Sequence, residues 1–166
     1  RGPPVAGPRA QAGSRRRRIA AARRRARDVD ETAYRAARGA AVPLACVFEK
    51  AIAVGCATCA TSVRRALAER EAIGCTSPTA RTNCTMLAAL LQERATFALK
   101  LAPGVPLQHE VTMRLACGGL AGVRGCVAPG ETDVHRLVVA AQARFGSLAE
   151  LPWHDVVASI VAWRIR

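Results

Sequence analysis

Apolar positions recur at helical spacing along most of the chain beyond residue 42. Cys84, Leu87, Leu91 and Ala95 fall three or four apart, joined by Leu90, Ala98 and Leu101, and predict a helix from an N-cap at Thr82 or Asn83 to about Leu99. Val134, Leu137, Val138, Ala141 and Phe145 form a second stripe, capped by Thr132 and stopped by Gly146. Ser147 to Glu150 has capping-box spacing, and Pro152 leads into a last helix whose inward positions are Val156, Val157, Ile160 and Trp163.

Other segments read less sharply. Ala60 to Ile73 fits a helix with Val63 and Leu67 on one face and Gly74 as its stop. Cys46 to Ala53 fits a short helix or a strand. Leu107 to Ala116 fits both periods, and helix is the better match. Cys117 to Gly130 reads as a glycine-rich loop. No regular alternation of helix and strand emerges, so the expected fold is mainly α, a small helical bundle-like domain over 42–166.

Residues 1–41 differ in kind. They are dominated by Arg, Ala, Gly and Pro and lack the bulky apolar residues that offset the entropy of ordering, so a disordered basic leader is expected. Twelve of the 25 basic and three of the 12 acidic residues lie in 1–38, giving this stretch +9 of the total +13. The remaining 128 residues therefore carry only +4. Arg15–Arg18 and Arg23–Arg25 would bind nucleic acid through phosphates, without sequence readout and with strong salt dependence. The chain begins with Arg1 rather than Met, and these residue types have GC-rich codons. Part of the leader is thus expected to be translated upstream sequence, with a start near Val42 or Val47. Only Ile19–Ala22 separates the arginine clusters, too short for the apolar core of an export signal, and no apolar run spans a bilayer. The expectation is a cytoplasmic protein, with a mitochondrial or plastid transit peptide in the Arg- and Ala-rich leader as the alternative, against which Asp28, Asp30 and Glu31 argue.

That compartment gives the seven cysteines their meaning: Cys46, Cys56, Cys59, Cys75, Cys84, Cys117 and Cys126. In a reducing environment such cysteines are metal-binding, catalytic or buried, and an odd count fits poorly with full disulfide pairing. Cys56 and Cys59 form a C-x-x-C pair, a spacing that lets two thiolates reach one metal. Cys75 with Cys84, and Cys117 with Cys126, bound two loops of equal length. The expected site draws four thiolates from Cys56, Cys59, Cys75, Cys84 and Cys117, with Gly118 and Gly119 letting backbone amides approach the sulfur. A [4Fe–4S] cluster is preferred to zinc, because a four-cysteine zinc site usually shows two tight pairs and only one is present. The implied role is electron transfer, redox sensing or service to a larger enzyme, with a protein redox partner. The alternatives are a non-catalytic helical interaction module with structural cysteines, since cysteine is among the most buried residue types, and a copper or zinc site. Cys46 and Cys84 sit on apolar stripes and fit a core role.

The segment Gly55-Cys56-Ala57-Thr58-Cys59-Ala60-Thr61-Ser62-Val63-Arg64-Arg65-Ala66-Leu67 resembles the metal loop and first helix of heavy-metal-associated domains. The resemblance implies copper(I) or a related soft ion on Cys56 and Cys59. It covers these 13 residues of 166. Val54 stands where that family usually has Met, and the later strands of its ferredoxin-like fold are not evident, since Thr82 to Leu99 reads as helix. His109, His135 and His154 lie near acidic neighbours and read as solvated residues. The glycines from Gly118 to Gly125 lack the Lys-Ser/Thr ending of a phosphate-binding loop. His109-Glu110 could supply a ligand or a base, but the sequence shows no family signature of a Cys/His nucleophilic enzyme.

Overall fold

Amphipathic helices account for most of the regular structure in the computed structural model, which describes residues 31–67 and 70–164. The chain divides into two compact units, residues 1–41 and 42–166. In the first, residues 31–41 are helical (α1) rather than irregular. Ala and Arg are good helix formers, and Glu31 pairs with Arg35 one turn on at 3.4 Å. The rest of the arginine-rich segment, with most of the nucleic-acid expectation, lies outside the described residues.

The second unit is mainly α, as its periodicity predicts. It comprises α2 (Glu49–Ala53), β1 (Ser62–Leu67), β2 (Arg70–Cys75), α3 (Pro78–Ala95), α4 (His109–Met113), a π-helical turn (Arg114–Gly118), α5 (Gly119–Val127), α6 (Val134–Phe145), a 3-10 turn (Leu148–Glu150) and α7 (Trp153–Ala162). The predicted stripe on α3 is the buried one, Cys84, Leu87, Leu91 and Ala95. That helix starts earlier than expected, because Ser77 rather than Thr82 or Asn83 caps it, accepting from Ala80 N, with Pro78 at its first turn. On α6, Val134, Leu137, Val138 and Ala141 are buried, and Gly146 ends the helix at φ 75°. The cap is Asp133, one residue beyond Thr132.

Two segments depart from the periodic reading. Ala60 to Ile73 is not a helix. It forms an antiparallel hairpin in which Ser62 faces Cys75 and Leu67 faces Arg70. At Ala72, Ile73 and Gly74 both faces of β2 are buried, so the strand lacks the clean two-residue alternation that would have marked it in the sequence. A Cβ on Gly74 would lie 2.8 Å from a Val42 methyl, so this glycine serves close packing and not a helix stop. Cys117 to Val127 is likewise helix rather than loop. A Cβ on Gly118 would lie 2.9 Å from Ile160 Cα, and one on Gly122 would lie 2.8 Å from Val156 Cα. These glycines let α5 approach the backbone of α7. One cluster joins α3, α5, α6 and α7 through Leu87, Leu91, Val123, Val138, Val156 and Ile160. The hairpin flanks it.

Candidate functional site

Residues 44–46 run along the free edge of β2. Cys46 N donates to Ile73 O at 2.9 Å, and Cys75 N donates to Leu44 O at 2.7 Å. The pairing sets Cys46 beside the end of β2, where Cys75 stands. Helix α3 joins them from below: Arg81 Nε donates to Ala45 O at 3.0 Å, and Cys84 lies one turn further along.

The C-x-x-C segment is held by the start of α6. Thr58 N donates to Thr132 O and Val134 N to Thr58 O, each at 2.8 Å. Asp133, buried at 7% exposure, accepts from Ala60 N and from Arg136 N, and thereby caps α6 while fixing the backbone just after Cys59. Glu131 in turn accepts from Asp133 N at 2.9 Å. Asp133 and Glu131 are the residues that sequence reasoning missed. An Asp immediately before an apolar-periodic run is an N-cap signal, but its second role depends on a segment 73 residues away.

These constraints bring four thiols around one small cavity, of about 10 Å³, lined by Cys46, Cys59, Cys75, Cys84, Thr61 and Arg81 among others. That volume accommodates about one water-sized sphere. Thr61 Oγ1 lies 3.2 Å from Cys59 Sγ and 3.6 Å from Cys75 Sγ, and the Cys75 thiol donates to Ser77 O at 3.2 Å. All four thiols are free. Burial pushes the Cys46 thiol up to about 11, with Cys59 and Cys75 adding to the effect and the Phe48 backbone opposing it. Burial likewise pushes Cys84 up to about 12, reinforced by Cys59, Cys46 and Cys75. Among the described residues, no three His, Cys, Asp or Glu side chains are gathered tightly enough to hold a metal ion as they stand.

The five cysteines predicted as ligands therefore separate. Cys59, Cys75 and Cys84 share the cavity, and Cys46 joins them. Cys56 and Cys117 form a disulfide with each other, so neither offers a thiolate. Gly118 and Gly119 are buried inside the helical segment, where a Cβ on Gly119 would collide with Leu91, and they shape no sulfur site. Burial raises the Cys126 thiol, which does not line this cavity.

The segment after Cys59 is strand β1, where a heavy-metal-associated domain has its first helix. No known family model, characterised protein or solved structure matches the chain. No helix among the described residues is long and apolar enough to cross a membrane.

Proposed function

We propose that the protein binds a thiophilic metal through Cys46, Cys59, Cys75 and Cys84, so that the hairpin, the C-x-x-C segment and α3 together form a metal centre. One observation supports this reading: four free thiols from four separate chain segments line a single cavity. Four thiolates suit zinc, copper(I) or iron, and the cavity's small volume favours one ion over a [4Fe–4S] cluster. Binding requires the side chains to turn inward. Cys59 and Cys75 would exchange weak bonds to Thr61 and Ser77 O for metal–thiolate bonds, and each thiol would release its proton. Thiolate charge would be offset by the metal and by Arg81 at the cavity wall. A single zinc ion would lock the hairpin to α3. Iron or copper would add electron transfer or soft-metal delivery.

A second reading has its own support. Cys84 belongs to the apolar cluster, and both Cys46 and Cys84 hold their protons well above neutral pH, as core thiols do. On this reading the chain is a helical interaction module. Anaerobic purification with assay of iron, sulfide, zinc and copper separates the two. One equivalent of a single metal, lost when any of the four cysteines becomes serine and retained in Cys126→Ser, supports the centre. Iron matched by sulfide, with a broad band near about 400 nm, would assign a cluster. A folded, metal-free protein that takes up neither zinc nor cobalt would favour the module.

A further inference from the structure

On the other side of the C-x-x-C segment, the Cys56–Cys117 disulfide forms part of the wall of a cleft of about 860 Å³. Small-molecule sites typically span roughly 300–1,000 Å³, so the cleft is large enough for a metabolite. Its charge is one-sided. Arg124 and Arg164 line it beside His109, and among the described residues no acidic side chain does. Glu131, next to the lining Thr132, directs one carboxylate oxygen to Asp133 N and the other toward Arg136. Trp163 adds an apolar surface. The two cysteine residues differ in burial: Cys117 is 2% exposed, whereas Cys56 is only partly buried and follows Gly55, whose φ of 77° carries the chain away from the end of α2.

We infer that this cleft is a thiol–disulfide exchange site for an anionic low-molecular-weight thiol, with Cys56 as the sulfur attacked. The substrate's carboxylates would pair with Arg124 and Arg164, and its thiolate would attack Cys56 Sγ along the open side. The Cys56–Cys117 bond breaks as a bond from Cys56 to the substrate sulfur forms. The electron pair leaves on Cys117 Sγ, which takes the proton released by the incoming thiol. Attack by a second thiol on the substrate sulfur then yields substrate disulfide and two protein thiols, a balanced two-electron reduction. The inference does not depend on the metal centre, since it uses neither the four-thiol cavity nor its residues.

The test uses the full chain, isolated with the disulfide intact and kept anaerobic. It is mixed with glutathione or with cysteamine, each rate normalised to that thiol's reaction with hydroxyethyl disulfide. Excess N-ethylmaleimide stops the reaction, and peptide mapping locates the adduct. Glutathione, the anionic probe, is expected to react about 5- to 10-fold faster than the cationic one, the scale set by one half-buried and one exposed charge, with the advantage shrinking in high salt. The mixed disulfide should sit on Cys56 and the maleimide on Cys117. Arg124→Gln and Arg164→Gln should erase the preference by moving the two rates in opposite directions, slowing glutathione and, with the charge repulsion removed, speeding cysteamine, a pattern that a misfolded variant would not give. Equal normalised rates, an adduct on Cys117, or a chain in which these two cysteines do not pair would each overturn the inference.

Discussion

Asp133 stands out at the residue scale because, among the described residues, it is the one charged side chain in the buried class. It caps α6 through Arg136 N and holds Ala60 N, so its removal would leave two backbone donors without their carboxylate. Asp133→Ala is expected to cost about 2–3 kcal/mol in urea unfolding, a lost cap plus an unsatisfied donor, and to speed alkylation of Cys59. Asp133→Asn should recover part of both.

The raised thiols make a second prediction at this scale. Cys46 and Cys84 keep their protons to about 11 and about 12 in the folded, metal-free chain, against an ordinary value near 9. The native state therefore binds more protons than the unfolded state above about pH 9. The stabilisation is fully present below that point and is lost as pH rises toward 11–12. Denaturant midpoints measured from pH 8 to 11 should fall, and Cys46→Ala should flatten the slope. Metal uptake should run the opposite way and tighten with rising pH, because each bound thiolate must first lose a proton. The C-x-x-C pair was conspicuous in the sequence, yet its two members have different fates: Cys59 faces the cavity and Cys56 is tied to Cys117. Spacing reports which thiols can share a partner, and the pairing of 44–46 with β2, which adds Cys46, is a tertiary event that spacing cannot encode.

Among the elements, the apolar positions of α3, α6 and α7 were legible because they recur at helical spacing on the buried face of each helix. The hairpin was not. Its strand β1 presents Arg64, Arg65 and Ala66 to solvent in succession, which masks the two-residue period. The glycines of α5 misled for a related reason: glycine marks loops on average, but it also marks the contact where two helices approach most closely. Two substitutions on this helix should part company. Gly122→Ala would press a methyl against the Val156 backbone and is expected to cost about 1–3 kcal/mol. Gly125→Ala meets nothing within 4 Å and should gain about 0.5–1 kcal/mol from helix propensity. Thermal melting of the two variants should shift in opposite directions. Equal shifts would mean that α5 does not pack on α7 through Gly122.

For the whole molecule, the disulfide is the longest covalent constraint, joining residues 61 apart. Closing a loop of that length removes freedom mainly from the unfolded chain, and the paired Cys56→Ala/Cys117→Ala variant should lose about 2–4 kcal/mol. Its denaturant slope should also rise, as a more expanded unfolded state exposes more surface. Selective reduction of the native protein should reproduce the same loss.

The same bond divides the four cavity thiols. Cys59, Cys75 and Cys84 lie within the covalent ring, and Cys46 lies outside it. Even when all packing is lost, three of these thiols remain tethered within one closed loop, at an effective concentration that a linear chain of the same length would not reach. If the proposed metal centre forms, an oxidised chain carries three of its four thiols into the unfolded state within one loop, where a captured ion would seed refolding. The reduced chain would have to assemble all four donors from an open coil.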